Sequence, residues 1–184
     1  MPDQVRHDVR TLDFQVLIKI LKRNDMIMKA FQDYYTDEFA ICFGCGRLNE
    51  HGLQIKSYWD GETSICHFQP KPYHTGGFPD YVYGGLIACL IDCHGAGTAS
   101  AAKSRNNGSK METAPPPRFV TASLHVDYLA PTPIDVTLEL KGNVKEIKGR
   151  KVVVAVTLSA KGKVCAKGEA VYVQIPDDFL SHNK

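Results

Sequence analysis

The chain has 184 residues, 43% hydrophobic and 23% charged, a near-average globular composition that excludes collagen-like, coiled-coil and intrinsically disordered classes. Its 22 Lys+Arg against 20 Asp+Glu leave a net charge of +2. That is far from the basic excess of a dedicated nucleic-acid binder, so a small-molecule or protein partner is expected and nucleic acid is not. No stretch approaches the roughly 18 consecutive apolar residues of a membrane helix. Asp3, Asp8, Asp13 and Lys19 interrupt the N-terminus where a secretory signal would be apolar. The expectation is a chain without membrane association, in the cytoplasm. Its six cysteines (Cys42, Cys45, Cys66, Cys89, Cys93, Cys165) then read as reduced thiols rather than a disulfide framework.

In chain order, residues from about Thr11 to Tyr35 carry apolar positions at helical spacing, with Asn24-Asp25 as a break, and predict an N-terminal helical extension over 1–38. Gly44, Gly46 and Asn49 mark an irregular turn. A strand over Leu53–Trp59, an Asp60-Gly61 hairpin and a returning strand over Ser64–Phe68 follow. After a Pro/Gly-rich loop, Tyr81–Ala102 holds one formal charge, Asp92, among many small and apolar residues, which predicts a long helix buried on most sides. Lys103–Arg118 reads as a polar loop. Four strands close the chain: Val120–Tyr128 with alternating polarity, Ile134–Val144, Lys151–Ala160 and Lys163–Ile175, the last three joined at hairpin spacing. The order strand–strand–helix–four strands predicts an α+β domain over 39–176, one curved antiparallel sheet wrapped around a central helix, with a tail at 177–184.

Asp92 is the sharpest chemical feature. A carboxylate inside an apolar helix costs desolvation unless it is paired or useful, and burial raises its pKa as a general base or nucleophile would require. A structural aspartate bonded to a neighbour is the competing reading. Gly84-Gly85 opens the helix and exposes N–H groups at its positive end, an anion or oxyanion site or else a tight entry turn. Asp92 lies eight residues after Gly84, roughly 12 Å along a helix. One small reacting group cannot touch both on the same helix. If both act, the glycine of one subunit faces the aspartate of another, and a catalytic reading requires a dimer. Thr121 could align a water or an Asp92 oxygen, or be an ordinary sheet threonine. Arg118 and Arg150, among the basic residues of two loops, could meet the phosphates of a nucleotide-bearing substrate or simply stand solvated. Cys42-x-x-Cys45 is a single pair, with His51 and His74 as conceivable extra ligands. Structural zinc takes four ligands in recognisable pairs, so no metal is expected; Cys93 reads as a core cysteine.

Taken together, Cys42-x-x-Cys45-Gly46 with Asn49 and Gly52-Leu53, Val82-Tyr83-Gly84-Gly85 followed by Asp92, and Phe119–Leu124 leading to Tyr128 and Pro131-Thr132-Pro133 resemble the hotdog-fold acyl-CoA thioesterases, the PaaI-like group in particular. The resemblance spans roughly residues 40–175. It implies a hotdog fold, a homodimer able to pair into a tetramer, no cofactor, and hydrolysis of acyl-CoA to free acid and CoA. It further implies that the Gly84 N–H polarises the thioester carbonyl and that Gly85 shapes the turn. Asp92 from the partner subunit attacks the carbonyl or activates water, with Thr121 assisting. Two positions depart from the family pattern: Tyr83 replaces the histidine of His-Gly-Gly, and Gly77 stands where many members carry Asn or Gln. Tyr83 and His74 are then expected at the substrate, His74 as a substitute for the missing amide. The departures also motivate a rival expectation, a hotdog module that binds an acyl ligand without hydrolysing it.

Overall fold

A computed structural model describes residues 29–176. Most of the expected N-terminal helix lies outside the described residues. Within them, the segment is not α-helical: it forms a short 3-10 helix over Phe31–Tyr34 that packs into the domain. Phe31 meets Trp59 with ring centroids 5.2 Å apart, and Gln32 bonds both the amide and the hydroxyl of Ser57.

The elements that follow are β1 (Ser57–Asp60), β2 (Thr63–Phe68), α1 (Gly84–Asn106), β3 (Phe119–Tyr128), β4 (Leu138–Lys148), β5 (Lys151–Ala160) and β6 (Lys163–Gln174). All six strands form one antiparallel sheet in the order β1-β2-β4-β5-β6-β3, with α1 packed across it. The turns are those the sequence marks. Gly61 and Gly149 adopt positive φ, and Lys161-Gly162 has positive φ at both positions (50° and 75°), as a two-residue primed hairpin turn requires. Along β5, Val152, Val154, Val156, Leu158 and Ala160 are buried in strict alternation and supply the floor on which the helix rests.

Three predicted boundaries move, each for a local reason. The first strand starts at Ser57, not Leu53, because Gln54 takes φ 48° and the amides of Leu53 and Ile55 bond the carbonyls of Phe43 and Gly44 instead of a strand. The helix begins at Gly84 and runs through Lys103 to Asn106, into the predicted polar loop, since Lys103 and Arg105 favour its C-terminal turn. The strand expected over Ile134–Val144 forms over Leu138–Lys148, because Pro133 and Ile134 pair instead with Tyr81 and Asp80 in the segment that enters the helix.

Small residues let α1 approach the sheet closely. A Cβ at Gly95 would run into the fully buried Tyr172 ring, whose hydroxyl donates to the Asp92 carbonyl at 3.0 Å. Gly95→Val is therefore expected to lower stability by about 2 kcal/mol, overpacking outweighing the few tenths gained in helix propensity. Denaturant unfolding checks this; an unchanged midpoint would show that Tyr172 yields freely.

Candidate active site

The helix start is held from three sides. The Tyr83 amide donates to the His74 carbonyl (2.9 Å), the Val82 amide to Thr132 (2.8 Å), and the Tyr128 hydroxyl donates to the Gly84 carbonyl (2.9 Å). The Tyr83 carbonyl accepts from Leu86 and Ile87, while the Gly84 and Gly85 amides have no acceptor among the described residues. Two N–H groups thus lead the positive end of a 23-residue helix, as an oxyanion site needs. The Tyr83 ring lies alongside Gly85: a Cβ there would come within 2.6 Å of its Cζ, so a larger residue would have to push the ring aside.

Beside this start lies a cavity of about 600 Å³, lined by Gly85, Leu86, Tyr83, His74, Phe68 and Leu53 among others. Its wall is mostly apolar with a few polar groups, the usual make-up of a small-molecule site. Tyr83 and His74 both line this cavity. His74 stacks on Phe68 (5.6 Å between centroids) and accepts from the Lys71 amide through Nδ1. Burial, and then Lys71, pull its pKa below the ordinary histidine value, which keeps it a neutral acceptor and donor.

Asp92 does not line this cavity. Its carboxylate is half-buried and accepts a 2.6 Å hydrogen bond from Thr121 Oγ1 of β3. Burial, the largest cause, raises its pKa, against the hydrogen bond from Thr121, which lowers it. The contact depends on a β-bulge. Thr121 pairs with Tyr172, but Ser123 pairs with Val171, so Ala122 is an extra residue. Strict alternation places Thr121 opposite Leu124. The bulge corrects this and turns both towards the helix. β3 is an edge strand with its outer backbone edge unpaired, and Val120 and Tyr128 are half exposed (50% and 55%), not the half-buried strand expected.

Arg118 and Arg150 are not brought to the helix start. The Arg118 guanidinium sits 3.5 Å above the Tyr35 ring, and Arg150 donates twice to the Gln174 carbonyl. Both therefore lie at the far end of the sheet, near Ser100 and Lys103 of the helix. The roles of Tyr128 and His94 went unread in the sequence. Tyr128 stood there only as part of the resemblance, and nothing in the chain pattern marks its partner, the Gly84 carbonyl.

The thioesterase superfamily model matches residues 80–167, from the segment entering the helix into the first part of β6. A crystal structure of a thioesterase superfamily protein from Shewanella loihica PV-4 is 53% identical, covers 70% of this chain and 96% of its own, and superposes with a TM-score of 0.56. The chain belongs to the thioesterase superfamily. A Streptococcus mutans protein of this hotdog architecture, solved bound to acetyl CoA, is 16% identical over 70% of this chain and 96% of its own, with a TM-score of 0.54. The acyl-coenzyme A thioesterase THEM4 of Xenopus laevis is 36% identical over 48% of this chain and 33% of its own length. The chain spans less than half the length of the curated relatives it matches. Within the thioesterase superfamily domain, no helix of the described residues is long and apolar enough to cross a membrane.

Proposed function

We propose that this chain hydrolyses acyl-CoA thioesters to a free carboxylic acid and CoA, as a homodimer in which Gly84 of one subunit works with Asp92 of the partner subunit. What carries the reading is the Thr121–Asp92 hydrogen bond: an acid fixed in one orientation, held half-buried beside an open sheet edge and turned away from its own chain's cavity. A second copy pairing along β3 would bring that acid towards a Gly84-Gly85 helix start. The named activity of the THEM4 relative and the acetyl CoA held by the Streptococcus mutans protein support the same substrate class.

In this mechanism the acyl group enters the cavity and the thioester oxygen accepts from the Gly84 N–H, where developing negative charge meets the helix dipole. Asp92 takes a proton from water as the water oxygen adds to the carbonyl carbon, or adds to that carbon itself before water cleaves the resulting anhydride. On the first route the C–S bond breaks as the departing sulfur takes the proton from Asp92. On the second, CoA leaves as its thiolate when the anhydride forms and takes its proton from solvent, and water then returns the Asp92 carboxylate and the free acid. Thr121 donates to one Asp92 oxygen and leaves the other free to act. All six cysteines are free thiols, which supports a reducing, cytoplasmic setting. The domain reading over 39–176 stands as part of this proposal.

The test is CoA thiol release from short, long and aromatic acyl-CoAs, with the mass of the assembly measured by sedimentation. Release by a dimer of twice the chain mass supports the reading; a fully active monomer would sink the shared-site mechanism. Thr121→Ala is expected to lower kcat by about 10-fold, with Thr121→Ser restoring most of it, since one charge-assisted hydrogen bond is at stake. Equal rates for all three would remove Thr121 from the site. The position of the Tyr83 ring, against Gly85 and facing the cavity, favours a second reading, ligand binding without hydrolysis. Tight acyl-CoA binding with no thiol release across the panel would select it.

A further inference from the structure

The loop and the helix bring together thiols that the sequence keeps about fifty residues apart. The sulfurs of Cys42, Cys45 and Cys93 lie within 4.8 Å of one another, the one group of three metal-ligating side chains among the described residues. Cys42 Sγ and Cys93 Sγ are 3.7 Å apart. Two thiolates on one tetrahedral zinc, each about 2.3 Å from the ion, are separated by about 3.8 Å. Cys89 lies one turn before Cys93 on the same helix face, and the two sulfurs share a single void: a Cβ at Gly44 would collide with Cys93 Sγ and come 3.1 Å from Cys89 Sγ. The glycine between the loop cysteines therefore keeps open the space in which the sulfurs converge.

A second observation separates this cluster from ordinary core thiols. The turn that carries Cys42 and Cys45 is closed by the Gly46 amide on the Cys42 carbonyl (2.8 Å), which fixes the two sulfurs beside α1. Cys66 and Cys165 show the contrast. Burial pushes the Cys66 thiol up to about 12, and Cys165 donates its S–H to the Lys163 carbonyl. The donor set is sulfur alone. His51 and His74, the conceivable ligands in the sequence, line the cavity and take no part in the cluster.

We propose that Cys42, Cys45 and Cys93, completed by Cys89, bind one thiophilic divalent ion of the zinc class. The four thiol protons leave to solvent as the ion binds, and a tetrahedral tetrathiolate site forms. The site ties the Cys42–Cys45 loop to α1. That loop carries Phe43 of the cavity wall and, through the Phe43 and Gly44 carbonyls, the Leu53–Ile55 segment beside it. The ion thus organises one wall of the cavity, next to the helix residue that precedes Cys93, Asp92. The inference is independent of the hydrolytic reading.

The 184-residue chain kept reduced, freed of metal and dialysed against zinc is expected to hold about one zinc per chain by elemental analysis. Cobalt in its place should give sulfur-to-cobalt charge-transfer bands in the near ultraviolet and the visible bands of a tetrahedral ion. Removing the ion should lower Tm by about 10 °C. The double variant Cys42→Ser/Cys93→Ser should lose the zinc, while Cys165→Ser keeps it. If the double variant does not fold, the cobalt spectrum of the unaltered chain decides alone. Less than about one zinc per ten folded, reduced chains, an octahedral cobalt spectrum, or full zinc retention in the double variant would overturn the site. A Cys42–Cys93 disulfide in protein that takes up no zinc after reduction would overturn it too and assign the cluster to thiol redox chemistry.

Discussion

Asp92→Asn is expected to lower thioester hydrolysis by at least about 100-fold while leaving the fold and the assembly intact. Loss of a positioned base or nucleophile removes typically 10²–10⁴-fold, and asparagine can do neither job at neutral pH. The substitution is otherwise mild. Thr121 Oγ1 can donate to the asparagine oxygen as it does to Asp92 Oδ1, and the main chain of residue 92 keeps its bond from Tyr172. Burial disfavours the charged Asp92, so its neutral replacement should leave Tm unchanged or slightly higher. Activity and stability then move independently, which a merely structural aspartate would not produce. The check is CoA release beside a melting curve and a sedimentation run on the same preparations. A full rate in the variant would take Asp92 out of the chemistry.

His94→Ala should have the largest effect on stability, a loss of about 3 kcal/mol from truncating a buried aromatic and stranding polar groups. His94 is fully buried in the helix and bridges two strands. Its Nδ1 bonds Ser57 Oγ at 2.9 Å and its Nε2 bonds Ser64 Oγ at 3.1 Å. Ser57 in turn holds Gln32, and Ser64 holds Thr98 at 2.6 Å. Burial pulls the imidazole pKa down to about 4, so it sits in the core neutral, with one donor and one acceptor to match two hydroxyls. Deleting the ring leaves a cavity and removes one partner from each serine. Denaturant unfolding measures the loss. A variant within about 1 kcal/mol of the unaltered chain would mean that water replaces the ring at little cost.

Much of the fold was legible because short-range rules decided it. The strict alternation of Val152 through Ala160, the Lys161-Gly162 turn and the run around Leu86–Ala102, mostly apolar and small with Asp92 its one formal charge, each specify a local element without help from distant residues. The boundaries that moved were decided by partners far along the chain: Leu53 and Ile55 by the Phe43-Gly44 carbonyls, Pro133 and Ile134 by Tyr81 and Asp80. The contacts of the two arginines follow the same rule. Charge marks Arg118 and Arg150 as candidates for a phosphate, but not that Tyr35 and the Gln174 carbonyl occupy them.

The sequence by itself determined the element order, the sheet wrapped on one helix, and the pair Gly84-Gly85 and Asp92 as the residues most in need of a chemical explanation. Glycines at a helix start and a lone carboxylate among apolar residues are costly choices that spacing alone exposes. Only the tertiary structure decided which side chains meet. A single extra residue at Ala122 turns Thr121 onto Asp92, and packing of a loop against the helix gathers Cys42, Cys45 and Cys93. Neither follows from periodicity, because a bulge resets the face a strand presents, and a cluster is fixed by contacts between segments rather than by the order of residues along the chain.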